Sequence, residues 1–274
     1  MYDLSGKIAV ITGGAGLLGV KHAEAIAEIG GLPVLLDIDG EKAKTKAKNI
    51  GNSFGIEPYW IECDITNFKE VKKSLDQLID HFGKVNILLN NAAIDSKVEN
   101  RDTQNNTSRF EEFDINDWEI DFDVGVTGAF ICTYVFGSFM AKQGEGVIIN
   151  IGSDLSFIAP NQNIYAVDDL SEDKQPVKPF SYSVIKHSLV GLSKYFAACW
   201  ALNGVRVNLL APGGVWNDRL NKAFVNKLTK HIPIGRMANY DDYKGSIQFL
   251  CSDASSYMTG ANLIVDGGRT IGSV

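Results

Sequence analysis

Cysteine is scarce: four residues in 274, Cys63, Cys132, Cys199 and Cys251, far apart and with no CxxC pair. No disulfide framework is expected from that spacing, and the four read as small buried hydrophobes in a reducing compartment. Basic charge is also short. There are 26 Lys and Arg against 33 Asp and Glu, a net charge of −7, which argues against a nucleic-acid binder, since such a chain needs a basic stripe to neutralise phosphates. No apolar run approaches the roughly 20 residues of a membrane span, so no membrane partner is expected. Histidine is limited to His22, His81, His187 and His231. These form no spaced ligand set with Cys or carboxylates, and no metal site is expected. The segment Met1–Lys7 leads straight into a candidate strand without signal-peptide shape, which points to the cytoplasm.

What is present is ordinary globular material. Apolar residues make up 45% and charged residues 22%, which excludes a disordered or fibrous chain. A chain of this length buries about 70–75% of its unfolded surface, enough for a core without metal or disulfide. Short runs rich in Val, Ile and Leu predict strands at 7–12, 33–37, 58–62, 85–90, 146–151, 205–210 and 262–265. They are nearly continuous apolar runs, as expected of parallel strands buried on both faces. Helical patterns fall between them, at 18–29, 40–54, 68–82, 118–142, 181–202 and 241–252. The alternation predicts an α/β fold, a Rossmann-type doubly wound parallel sheet of about seven strands with helices on both faces. No repeat or linker divides the chain, so residues 1–274 read as one domain. Two polar segments interrupt the rhythm, 94–109 and 161–179. The first reads as a solvated loop. The second is long enough to suggest a cover over a substrate site.

The first strand runs into Thr12-Gly13-Gly14-Ala15-Gly16-Leu17-Leu18-Gly19, and a helix follows. Glycines suit a tight turn, close approach of a pyrophosphate and close helix packing. The helix start offers unpaired N–H groups to the phosphates. Strand two ends in Asp37, 24 residues after Gly13, where a carboxylate can receive the adenosine ribose hydroxyls and repel a 2′-phosphate. No Lys or Arg lies within the glycine loop or immediately after Asp37, so NAD is expected over NADP. Asp39 is the competing carboxylate and reads as a helix cap.

Downstream, Asn90-Asn91-Ala92-Ala93 closes the fourth strand, Asn150-Ile151-Gly152-Ser153 closes the fifth, and Tyr182-Ser183-Val184-Ile185-Lys186 opens a helix. Tyr182 and Lys186 at i and i+4 share one helix face. A neighbouring ammonium favours phenolate over phenol, so Tyr182 can exchange a proton with an alcohol or carbonyl. The Ser153 hydroxyl can bond the same oxygen. Tyr165 is a rival base, 12 residues after Ser153, but Asp169 stands four residues after it. A carboxylate there opposes ionisation of the phenol. Tyr182 is therefore preferred, and a Ser–Tyr gap of 29 residues implies an insertion near 161–179.

In order, these motifs resemble the short-chain dehydrogenase/reductase family over almost the whole chain. They are joined by Cys63-Asp64 after strand three, Pro212-Gly213-Gly214 after strand six, and Thr259-Gly260 with Val265-Asp266-Gly267-Gly268 near the end. The resemblance implies a catalytic set of Ser153, Tyr182 and Lys186. It implies a cofactor cradle of Thr12, Gly13, Gly16, Leu17, Leu18 and Gly19 around the phosphates. Asp37, Ile38, Asp64 and Ile65 would hold the adenosine side, and Asn91, Ala92 and Ala93 the nicotinamide half. Tyr182 and Lys186 would also hold the nicotinamide ribose, and Pro212, Gly213 and Val215 would border the ring. Asp154, Asn161 and Trp216 are the expected substrate contacts. Phe224, on the same expected lid as Trp216, reads equally well as core. A homotetramer or dimer is implied, through helices 118–142 and 181–202 and the C-terminal strand.

The pattern departs from the family at two places. Classical members read Thr-Gly-x-x-x-Gly-x-Gly, and here Leu17 occupies the middle glycine, a spacing similar to the extended branch that handles nucleotide sugars. Gly125 stands where the family's helix usually has an Asn that anchors a relay water. The expected function is NAD-dependent interconversion of an alcohol and a ketone on a small, polar, sugar-like molecule. The glycine loop and the long insertion also look like members of surface-carbohydrate or flagellin-glycan pathways. The alternatives are a nucleotide-sugar epimerase or dehydratase with tightly held NAD, and an NAD-binding sensor without turnover.

Overall fold

The structure is a computed structural model that describes residues 1–94 and 109–272. Seven parallel strands form one sheet in the order β3-β2-β1-β4-β5-β6-β7. The strands are β1 Ile8–Thr12, β2 Leu32–Asp37, β3 Tyr59–Glu62, β4 Ile87–Asn90, β5 Gly146–Ile151, β6 Val205–Pro212 and β7 Asn262–Val265. The helices are α1 Leu17–Glu28, α2 Gly40–Phe54, α3 Phe68–Phe82, α4 Ile115–Phe122, α5 Ala129–Gln143, α6 Phe180–Trp200, α7 Lys222–Thr229 and α8 Lys244–Cys251. Most of the expected polar segment at 94–109 lies outside the described residues.

Alternate strand residues point to opposite faces, and each face carries its own apolar layer. Ile11, Leu35 and Leu89 pack with Ala23 and Ile26 of α1, Ala47 of α2 and Ile247 of α8. Val10, Leu36 and Leu88 pack with Leu75 of α3, Phe136 of α5 and Phe196 of α6. The central strands are buried on both faces, whereas the edge strands β3 and β7 are partly open, because each lacks a neighbour on one side. A smaller apolar group, Ile164, Leu228, Ile232 and Met237, joins the 161–179 segment to α7. Sequence periodicity does not reveal α7, a helix of eight residues.

The expected helix at 118–142 is corrected in two ways. It starts earlier, where the Asp114 side chain accepts from Asn116 N, and a π turn at Asp123–Gly128 separates α4 from α5. Joined, Ile115–Gln143 is one helical run long and apolar enough to cross a membrane by length and composition, contrary to the expectation that no run approaches that length. More than half of its apolar window is buried, and Ile131, Cys132, Phe136 and Met140 lie in the core. Of the cysteines, Cys63, Cys132 and Cys251 are buried as expected, but Cys199 is exposed on α6.

Candidate active site

The strand order reverses beside β1, whose neighbours are β2 and β4. In such sheets ligands occupy the crevice beyond the strand ends at that point. The turn after β1 and the turn after β4 meet there. Thr12 Oγ1 accepts from Asn91 N at 3.0 Å and Ala92 N at 3.1 Å, and Asn91 Nδ2 donates to Thr12 O and Gly13 O at 3.0 and 3.2 Å. Three glycines are sterically required, and a Cβ on Gly14 would lie 2.8 Å from Leu35 Cα. Gly13 has φ +59°, and a Cβ on it would lie 2.9 Å from Ala92 Cα. A Cβ on Gly19 would lie 2.2 Å from Gly13 O. Leu17, at the departing position, opens α1 with its side chain 57% exposed at the cavity wall, so the loop accommodates it without strain on the core.

A cavity of about 770 Å³ runs from this turn across the ends of β4, β5 and β6. Gly13, Gly16, Leu17, Leu18, Asp37, Ile38, Asp64, Ile65, Asn91, Ala92, Ala93, Pro212, Gly213 and Val215 line it. Asp37 is held by two backbone groups, Ala15 N to Oδ2 at 2.9 Å and Asp39 N to Oδ1 at 3.1 Å. Asp39 caps α2 by accepting from Lys42 N at 2.9 Å. The shape, the bare glycine turn and the fixed carboxylate fit a dinucleotide. Thr12 and Gly19 stand behind the cavity wall and do not line it. Thr12 ties β1 to β4, and Gly19 lets α1 pack on the loop. Lys42, whose side chain the sequence reading did not weigh, also lines the wall. It lies five residues past Asp37, outside the immediate neighbourhood in which a cation was sought.

Ser153, Tyr182 and Lys186 line the same cavity. Tyr182 and Lys186 are one helical turn apart on α6, and Lys186 Nζ is 5.6 Å from the Tyr182 ring centroid. Lys186 is buried and donates to Ile151 O at the end of β5, at 2.8 Å. A buried polar chain fixes α6 against the sheet. Asn90 Nδ2 lies 2.8 Å from both Thr133 Oγ1 and Asn150 Oδ1, and Asn150 Nδ2 donates to Ser193 Oγ at 2.8 Å. Buried networks of this kind rigidify what they connect, although Asn90 Oδ1 itself has no partner among the described residues. Asn90 and Asn150 stand in the quoted motifs without a role of their own, and Thr133 and Ser193 escape sequence reading because each looks like a lone polar residue in an apolar run.

Asp154 reaches the cavity as expected, but it is already partnered. Ser153 Oγ donates to Asp154 Oδ1 at 2.7 Å, and Arg269 Nη1 donates to Asp154 Oδ2 at 2.5 Å. The side chains of the pair are only 4% and 9% exposed. Two other expected substrate contacts do not line the cavity. Asn161 caps a short turn by accepting from Asn163 N and is absent from the wall. Trp216 is 43% exposed and also absent from the wall; its backbone N–H donates to Ala238 O at 2.8 Å, beside the bridge between Val215 and Ala238. The wall uses Asn217, Leu220, Phe224 and Met237 instead. Tyr165 lines it as well and stacks on Phe224 with centroids 5.3 Å apart.

The 161–179 segment is tied down by its own hydrogen bonds. The Gln175 amide exchanges bonds with Val167 N and O at 2.8 and 2.9 Å, and Lys227 Nζ holds Ala166 O at 2.7 Å. Its middle is exposed, while its ends place Tyr165 and Lys178 on the cavity. Gly125 lies in the π turn, where a Cβ would come 2.5 Å from Ile185 Cγ2. With no Cβ at Gly125, Ile185, the residue next to Lys186, packs directly against the turn. Among the described residues, no three His, Cys, Asp or Glu side chains group closely enough to hold a metal.

The family model for short chain dehydrogenases matches residues 7–166, and a second model described as enoyl-(acyl carrier protein) reductase matches residues 171–270. The chain belongs to the short-chain dehydrogenase/reductase family. It is 30% identical to D-threitol dehydrogenase of Mycolicibacterium smegmatis, over 98% of this chain and 95% of that one. It is 28% identical to an NAD-dependent glycerol dehydrogenase of Listeria innocua, over 98% and 96%. A crystal structure of gluconate 5-dehydrogenase from Burkholderia cenocepacia with NADP and tartrate superposes with a TM-score of 0.86 at 29% identity, covering 99% and 98%. Such relatives support an oxidoreductase that interconverts an alcohol and a ketone, and do not favour the epimerase or the sensor.

Proposed function

We propose that the protein is an NAD-linked dehydrogenase of a polyhydroxylated alcohol, with Ser153, Tyr182 and Lys186 as its catalytic residues. The observation that carries this is the anchored Tyr182–Lys186 pair sharing one cavity wall with Ser153. Held by Gly13, Gly16, Asp37 and Asn91, a nicotinamide cofactor would supply the hydride acceptor or donor. Tyr182 exchanges the proton of the substrate hydroxyl, and Lys186 favours the phenolate through its charge. Ser153 bonds the same substrate oxygen. Asp37, held by two N–H groups, receives the adenosine ribose and repels a 2′-phosphate.

A second reading, use of NADP, is favoured by one observation: Lys42 lines the wall on the Asp37 side and offers a cation to a 2′-phosphate. The test is the ratio of kcat/KM for NAD to that for NADP with a polyol that is turned over. A ratio well above one supports the first reading, and the reverse supports the second. The expected dimer or tetramer is proposed too. Phe68, Phe130, Tyr134 and Tyr195 form exposed aromatic surface on α3, α5 and α6, the kind of face that a second copy would cover. Light scattering that gives a monomer would refute it.

A further inference from the structure

We infer that Asp154 makes the site selective for a vicinal diol: the Ser153 proton that Asp154 holds turns to the reacting oxygen, and the hydroxyl on the neighbouring substrate carbon takes its place on Asp154. The inference rests on the alcohol-oxidising reading of the same site. A carboxylate only accepts, so in the 2.7 Å contact with Asp154 Oδ1 the Ser153 hydroxyl is the donor. That hydroxyl has a single proton. Its oxygen meanwhile accepts from Leu155 N at 3.2 Å. In this arrangement Ser153 has no proton left for a substrate alkoxide or carbonyl. Its bond to the reacting oxygen therefore requires a rotation about Cβ–Oγ that leaves Asp154, with no covalent bond made or broken.

Asp154 is held so that it can exchange one donor for another. When Ser153 turns, Arg269 Nη1 stays on Oδ2 at 2.5 Å and Leu155 N on Oδ1 at 2.8 Å. The carboxylate keeps its counter-charge and its place. Arg269 is itself delivered by a fixed turn, in which Asp266 accepts from Gly268 N at 2.9 Å and Thr270 N at 2.7 Å. A carboxylate offers about four acceptor positions. Three are filled here, and the turn of Ser153 vacates one of those three. Ser153 and Asp154 are both buried, and a buried acceptor that loses a donor is costly unless another arrives. Both residues line the cavity, so the substrate can bring that donor. Ser153 Oγ and Asp154 Oδ1 lie one hydrogen-bond length apart, the spacing that gauche hydroxyls on neighbouring carbons present. An isolated alcohol leaves the position empty, and a hydroxyl one carbon further away does not match it. The side chains of Leu220, Phe224, Leu228 and Met237, also on the wall, offer a substrate hydroxyl no acceptor in its stead.

The test measures reduction of NAD and NADP by the full chain with probes that differ by one hydroxyl. These are isopropanol and propylene glycol, then cyclohexanol with its vicinal diol and the diol whose hydroxyls are one carbon further apart, and xylitol as the polyol reference. The expected result is a kcat/KM for each vicinal diol about tenfold or more above its isolated-alcohol and spaced-diol partners, as one hydrogen bond to a buried charge gives. Asp154→Asn removes the charge and should bring that ratio to about threefold or less. Asp154→Leu/Arg269→Met carries the same test without a stranded charge, should the single variant fold poorly. The ratio is read within one protein, so lost stability lowers both rates alike and leaves it unmoved. Equal turnover of vicinal and isolated alcohols overturns the inference and leaves the dehydrogenase reading standing. So does a vicinal preference that survives both variants, or turnover of xylitol with every smaller probe silent. No reduction of NAD or NADP by any probe counts against the dehydrogenase reading itself, and the inference falls with it.

Discussion

The Asp154–Arg269 pair gives a prediction whose size follows from its burial. Its side chains are 4% and 9% exposed, and the Nη1–Oδ2 distance is 2.5 Å. It links the residue after Ser153 to a segment 115 positions later. Removing one partner strands a buried charge, which costs about 3–5 kcal/mol, whereas replacing both by apolar residues of similar volume is often nearly neutral. Asp154→Ala and Arg269→Met should therefore each destabilise by that amount. At this chain length about 1 kcal/mol moves Tm by roughly 2 °C, so each variant should melt about 6–10 °C lower. The double variant Asp154→Leu/Arg269→Met should recover most of the loss. Thermal melts of all four proteins provide the assay, with denaturant titration to obtain the coupling energy. Single variants that melt within about 2 °C of the parent, or a double variant no better than the singles, would refute the reasoning.

Three further outcomes are expected. Gly125→Asn should not repair a relay. Its Cβ meets a β-branched neighbour, Ile185, at 2.5 Å, and overpacking of that kind costs about 1–3 kcal/mol. Turnover and Tm should both fall, and a tenfold gain in turnover would contradict this. His22 is fully buried with Nε2 unpartnered among the described residues, and burial pushes its pKa down from 6.5 to about 4. The folded state therefore resists the proton that the unfolded chain accepts. The His22 contribution is complete above pH 6.5 and is lost as pH falls towards 4, a loss of about 3 kcal/mol. Urea titrations at pH 7 and pH 4 should show a smaller acid loss in His22→Leu, and an unchanged difference would count against it. Asp37→Asn removes the carboxylate held by Ala15 N and Asp39 N. The NAD to NADP ratio of kcat/KM should drop by about tenfold or more, read from initial rates. A ratio that does not move would remove Asp37 from cofactor choice.

Much of the site was legible because its signals are local. The glycine turn sits between a strand and a helix, Asp37 ends the next strand, and Tyr182 and Lys186 are one helical turn apart. All three relations survive folding unchanged. The seven strands were legible for the same reason, as short apolar runs bounded by polar turns. What adjacency does not give is side-chain direction in loops. Trp216 follows Val215, yet of the two only Val215 lines the cavity. Asn161 was equally plausible as a contact, and its carbonyl oxygen went to a turn instead. Long-range partners were also out of reach. Arg269 meets Asp154 across 115 positions, and Tyr165 stacks on Phe224 of α7 across 59. The π turn at Gly125 was hidden because i→i+5 bonding leaves no separate hydrophobic period in so short a stretch.

The central claim is that Tyr182 moves the proton while the rest of the cavity holds the cofactor. Tyr182→Phe keeps the ring beneath Lys178 and removes only the hydroxyl. The most direct test is single-turnover and steady-state NADH formation by this variant beside an NADH fluorescence titration. The account predicts turnover lower by about two to four orders of magnitude, the range of general acid–base catalysis, with NADH affinity within about threefold of the parent. Near-normal turnover with intact binding would contradict it and return the proton-transfer role to another group on the same wall.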